Sequence, residues 1–202
     1  MARTQAEDYE QRREAILDQA AKLYAAKGFL GASITDLAKA CKMSKSLIYH
    51  YYSSKHEILF DLMHSHVESR LEIARAVSAQ NLEPRAKLEE LGRKFMRLYG
   101  GAVPRHRVLL NDLHQLPARR RKIIVNIQRQ IVAVVEDIIA GIRPKKTLPE
   151  AARWPVAMFY FGMINWTHIW LNPQGPLDLE EITDLMSELF LNGIEKAKMP
   201  GD

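Results

Sequence analysis

Apolar residues along the chain recur at three- and four-residue spacing and nowhere alternate over the length of a strand, so the sequence predicts an all-α protein. Ile16, Leu17, Ala20, Leu23 and Tyr24 put the first stripe on a helix from about Ala6 to Lys27, which Gly28 ends. Ser33-Ile34-Thr35-Asp36 sets a capping hydroxyl three residues ahead of an acid and opens a second helix. A third starts after Ser44. Ser54-Lys55-His56-Glu57 is a fuller capping box, opening a long fourth helix with Ile58, Leu59, Leu62 and Met63 on its inner side.

The second half opens at Pro84. Helices from about Pro84 to Tyr99 and from Pro104 to Leu116 each carry proline in the first turn, where a missing N–H costs nothing. From Pro117 a long helix repeats Ile124, Ile127, Ile131, Val134, Ile138 and Ile142. Pro144 and Pro149 frame a break, and Thr147-Leu148-Pro149-Glu150 caps the next helix, which runs to about Leu171. Pro173, Gly175 and Pro176 break it again, and Asp178-Leu179-Glu180-Glu181 starts the last. The expected total is about nine helices. They divide into a three-helix domain over residues 1–55 and a larger helical domain over residues 56–202.

Charge changes the picture at one place. Across 202 residues, 29 basic and 24 acidic side chains are well mixed, yet Leu37 to His56 carries four lysines and no acid. Two short helices joined by a tight turn within that stretch make a helix-turn-helix, whose second helix can enter the DNA major groove. Lysine neutralises phosphate, while Ser, Tyr and His reach phosphates or base edges. Lys45, Ser46, Tyr49, His50 and Tyr51 project from the third helix after the Ser44 cap and are the candidate DNA contacts. Ser33 and Thr35, opening the second helix, can bond phosphate as well. Leu37, Ala38, Leu47 and Ile48 read as the small core that fixes the angle between the two helices, and Cys41 as core with them.

The run Lys27-Gly28-Phe29-Leu30-Gly31-Ala32-Ser33-Ile34-Thr35-Asp36-Leu37-Ala38, followed by Ser44-Lys45-Ser46-Leu47-Ile48-Tyr49-His50-Tyr51-Tyr52-Ser53-Ser54-Lys55, resembles the N-terminal domain of the TetR (tetracycline-repressor-like) transcription regulators. The resemblance spans roughly residues 10 to 63. It implies that Lys55 is a phosphate-binding lysine at the start of the fourth helix. Three positions depart from the family pattern. Lys42 stands where many relatives have glycine in the turn, and a left-handed lysine there costs about 1–2 kcal/mol. Ser46 replaces another common glycine, and Tyr52 a phenylalanine.

A DNA reader this small needs two copies to cover two half-sites, so symmetry predicts a homodimer. Trp154 to Leu171 is apolar nearly all round, and Leu185, Leu189 and Phe190 belong to a stripe on the last helix. These two helices are the expected interface, as the family resemblance also implies. Phe95, Tyr99, Leu110, Leu113 and His114, with Tyr160, Met163, Trp166 and Trp170, are the candidate lining of a small-molecule pocket, a filled core being the alternative. The stretch from Met163 to Leu177 looks like the C-terminal signature of a TetR subgroup, some members of which respond to acyl-CoA thioesters. Arg120 and Arg121, within the run Arg119 to Lys122, are either a solvated helix start or the site for the phosphates of such an effector.

Other classes find little support. No nucleophile–base or paired-carboxylate constellation gives a catalytic residue. His64 and His66 are two apart and do not share a helix face, so no metal site or cofactor is expected. The single cysteine excludes an internal disulfide framework. The polar start of the chain is unlike a signal peptide, and the apolar stretch ending at Leu171 is too short and polar for a membrane span. The sequence therefore reads as a cytoplasmic, ligand-responsive DNA-binding regulator, most simply a repressor released from operator DNA by a small hydrophobic effector. The rivals are a helical small-molecule enzyme and a DNA-binding protein without an effector.

Overall fold

The structure, a computed structural model, describes residues 2–142, 148–172 and 174–197, with side chains from residue 7 onward. Among them are nine α-helices and no strand. They are α1 (Ala2–Gly31), α2 (Ile34–Ala40), α3 (Lys45–Tyr51), α4 (Lys55–Ser78), α5 (Pro84–Gly101), α6 (Val103–Asp112), α7 (Ala118–Ile142), α8 (Glu150–Trp170) and α9 (Leu179–Lys196). One 3₁₀ turn, Leu113–Gln115, separates α6 from α7. The bounds agree with the hydrophobic periods to within about a turn, the largest departures being α1, which starts at Ala2 and runs on to Gly31, and α6, which stops at Asp112 where the 3₁₀ turn takes over. Gly28, with φ of 72°, breaks the helix as expected, and a last turn resumes after it to Gly31. Pro144, Thr147 and Pro173 lie outside the described residues.

The chain forms two compact units, neither of them continuous in sequence. The first comprises residues 1–67 and 102–125, and the second residues 68–101 and 126–202. The first unit is thus larger than the 1–55 domain expected. Its core is Ile16, Leu17, Tyr24, Phe29, Leu37, Ile48, Ile58, Leu62 and Val108, all buried. Here α6 lies along α1, where Arg105 pairs with Asp18 at 2.7 Å and with Glu14, and Asp112 accepts from the Phe29 amide.

In the second unit α5 packs on α8 and α9. A Cβ at Gly92 would lie 3.0 Å from the Tyr160 hydroxyl and 3.3 Å from Ser187 Oγ, so glycine is what allows that approach. Tyr160 is fully buried and donates to the Leu88 carbonyl at 3.0 Å. Exposed pairs of α5 with α9, such as Arg85 with Glu195 and Arg93 with Asp184, add little energy but fix register.

Candidate functional site

The helix-turn-helix is held by local chemistry that the sequence dictates. Ser33 accepts from the Asp36 amide, and Asp36 accepts in return from the Ser33 amide and hydroxyl, which closes the capping box on α2. The turn ends α2 with the Cys41 amide on the Leu37 carbonyl and the Met43 amide on that of Ala38. Lys42 takes φ of 54°, the only positive φ on a non-glycine among the described residues, so the left-handed turn that relatives give to glycine is kept with lysine. Ser44 then caps α3 by accepting from the Leu47 amide at 3.1 Å.

That frame sorts the candidate DNA contacts. Lys45, Ser46, Tyr49 and His50 are exposed, with Tyr49 at 54%, while Ile48 is fully buried beside Leu37 and Ala38. An outward face of donors and rings over an apolar underside is what a groove-reading helix requires. Tyr51 is placed differently: it is half-buried and stacks on Tyr9 of α1, ring centres 4.7 Å apart. Ser33 and Ser44 are exposed and Thr35 is half-buried, with both serine hydroxyls engaged in their caps.

Lys55 departs most from expectation. Its ammonium donates to the carbonyls of Phe29 at 2.7 Å and Ala32 at 2.9 Å and lies 4.1 Å from the centre of the Phe29 ring. Burial lowers its pKa, and the charge of Asp112 opposes that shift. The lysine fastens the end of α1 to the start of α4, adding a second donor to the Phe29 carbonyl, which also accepts from the Ala32 amide at 3.4 Å. The capping box of α4 also differs: Ser54 accepts from the Glu57 amide, but Glu57 returns its bond to the amide and hydroxyl of Ser53.

The candidate effector residues separate into three groups. Phe95 and Tyr99 are buried and stacked, and the Tyr99 hydroxyl donates to Asn165 Oδ1 at 3.3 Å. Tyr160 lies in the same unit but is used in packing. Met163, Trp166 and Trp170 do not join them: they line an open apolar groove of about 860 Å³ on α8 and α9, with Leu185 and Leu189. A second groove on the same helices includes Phe190 and shares Phe159, Met163 and Leu189 with the first. Leu110, Leu113, His114, Arg120 and Arg121 belong to the other compact unit. There Arg120 sits 5.2 Å from the Phe60 ring centre.

Sequence reasoning passed over Arg70. It is 4% exposed, and its guanidinium carbon lies 5.5, 5.3 and 5.8 Å from the ring centres of Phe95, Tyr99 and Phe161. The signal was present: Val67, Arg70, Leu71 and Ala74 share one helix face, so a charge interrupts an apolar stripe. Among the described residues, no group of three or more His, Cys, Asp or Glu side chains is arranged to hold a metal ion. No described helix is long and apolar enough to cross a membrane.

Comparison with known proteins decides the family. Residues 16–62 match the profile described as "Bacterial regulatory proteins, tetR family", and residues 81–194, more than half the chain, match "Tetracyclin repressor-like, C-terminal domain". The protein belongs to the TetR family. As a TetR-family protein it is a DNA-binding transcriptional regulator. A TetR-family regulator from Bordetella parapertussis 12822 is 34% identical, covering 93% of this chain and 98% of its own, with a TM-score of 0.85. AibR, solved with isovaleryl coenzyme A and operator DNA, is 25% identical over 88% of this chain and 97% of its own, with a TM-score of 0.78. The repressor KstR2 of Rhodococcus jostii RHA1 is 30% identical over 80 residues, which are 40% of this chain and 39% of that relative. This chain therefore aligns with well under two thirds of that curated relative's length.

Proposed function

We propose that this TetR-family regulator is a cytoplasmic homodimeric repressor, released from its operator by a small hydrophobic effector. The observation that carries the reading is α3, with Lys45, Ser46, Tyr49 and His50 turned outward over a buried Ile48. Residues 1–55 would read DNA, and the remainder would bind effector and partner. Effector binding would favour a state whose recognition helices no longer fit the half-site spacing.

Dimerisation is assigned to α8 and α9. Phe159 is 67% exposed, Trp166 62% and Leu189 62%, on one continuous apolar surface that a second copy would cover. This reading moves Trp166 and Trp170 from the effector site to the interface. Effector binding is assigned to the region of Phe95 and Tyr99. An acyl-CoA is the candidate class, supported by the resemblance of Met163 to Leu177 to one TetR subgroup and by the ligand bound in AibR.

Fluorescence anisotropy with labelled promoter DNA tests the reading. Tyr49→Ala should weaken operator binding by about 1–3 kcal/mol if the ring touches base or backbone. An affinity equal for operator and random duplex at every salt concentration would overturn it.

A further inference from the structure

Arg70 is a buried cation with incomplete compensation. No carboxylate among the described residues pairs with it, and its Nε–H has no hydrogen-bond partner. What surrounds it is aromatic: Phe95, Tyr99 and Phe161, each within 6 Å of the guanidinium carbon. Ring faces attract a guanidinium, but they replace neither the counter-charge nor the acceptor that the buried Nε–H lacks. A buried charge left without its counter-ion is costly, and proteins keep such groups where a ligand completes them.

The neighbouring polar groups fit the same purpose. The Tyr99 hydroxyl interacts with Arg70 and donates to Asn165 Oδ1, which leaves the Asn165 amide nitrogen as a further donor. Burial raises the Tyr99 pKa, and the charge of Arg70 counters that, so the hydroxyl stays a protonated donor. The set is rich in donors, positively charged and walled by rings.

We propose that Arg70 is an effector-binding residue and that the effector carries a carboxylate which pairs with its guanidinium, its apolar body held by Phe95, Tyr99 and Phe161. A planar carboxylate takes two parallel N–H bonds from an arginine fork, and the ring walls strengthen that pair by keeping water away. The acid can be free, or can stand at the far end of an acyl chain whose other end is a thioester. The inference rests on the reading of this protein as ligand-responsive and narrows the chemistry of that ligand.

Matched probes test it by melting temperature and calorimetry on the full-length protein: 3-phenylpropionate against 3-phenylpropionamide, and adipoyl-CoA against hexanoyl-CoA. In at least one pair the carboxylate-bearing member should bind ten-fold or more tightly than its neutral counterpart. Arg70→Met should abolish that preference, and Arg70→Lys should retain part of it. Without ligand, Arg70→Met should melt no lower than the wild type, since it removes an uncompensated charge. Equal binding within both pairs, no binding by either carboxylate, a preference that survives Arg70→Met, or a ligand-free Arg70→Met that melts lower would each overturn the assignment. Which pair responds tells free acid from thioester. Failure of the regulator reading would show separately, as absence of specific operator binding by the wild type.

Discussion

The hydroxyl of Tyr52 donates to Oδ2 of Asp61 at 2.6 Å. The same carboxylate oxygen lies 2.6 Å from a guanidinium nitrogen of Arg13. One acid on α4 therefore holds the residue that ends α3 and also a residue of α1. Burial raises the Tyr52 pKa, and the bond to Asp61 raises it further, so the phenol remains a donor at any physiological pH. The orientation of α3 is set from beneath by polar contacts as well as by the buried Ile48.

Tyr52→Phe tests that support. The ring keeps its packing, while a half-buried carboxylate loses one donor and retains Arg13. A loss of about 1–2 kcal/mol in urea unfolding is expected, with weaker operator binding at unchanged salt dependence. Unaltered stability would mean that the hydroxyl is dispensable.

Lys55 distinguishes two roles. If it fastens the end of α1, Lys55→Met removes the donor for the Phe29 and Ala32 carbonyls and lowers stability by about 1–3 kcal/mol. The slope of log affinity against log salt should not change. A folded, equally stable variant whose slope falls by about one would instead restore the phosphate-binding role that the family resemblance implies.

Leu189 tests the interface. A glutamate there would bury an unpaired carboxylate between two copies, so Leu189→Glu should sediment as a monomer or unfold. A wild-type monomer, or an intact Leu189→Glu dimer, would refute the placement on α8 and α9.

Acid stability gives a fourth measurement. The Ser33 hydroxyl and amide hold the Asp36 carboxyl below its usual range, and those of Ser53 do the same for Glu57. A lowered folded pKa means stabilisation that is complete above the ordinary carboxylate value, about 4, and lost as pH falls through the folded one. The double variant Asp36→Asn, Glu57→Gln should be less stable at pH 7 and show a shallower loss between about pH 4 and pH 2. An unchanged slope by circular dichroism would show that the caps do not couple to protonation.

The fold was legible because its signals are local. Helix periods, the Ser33 and Ser44 caps, Gly28 and the left-handed Lys42 each act within a few residues, so one sequence contains the whole cause. The site was legible only as far as that locality reaches. Tyr49 and His50 follow from the cap and the period, but the pairing of Lys55 with carbonyls 23 and 26 residues away does not. The sequence groups Trp166 and Trp170 with Phe95 and Tyr99 because it shows that an aromatic residue needs cover, whereas only the folded chain shows that they line a separate groove on α8 and α9. Arg70 was overlooked because only the folded chain gathers Phe95, Tyr99 and Phe161, distant in sequence, around it.

The insertion of residues 102–125 into the first compact unit bears on how the reading head can be transplanted. A chimera spliced at residue 55 would carry α1 to α3 away from α6, leaving Glu14 and Asp18 without Arg105 and the Phe29 amide without Asp112. If α3 reads DNA as proposed, swapping specificity between regulators is better done by repainting its outward residues than by exchanging N-terminal segments. The head is modular in its reading surface and not in its chain.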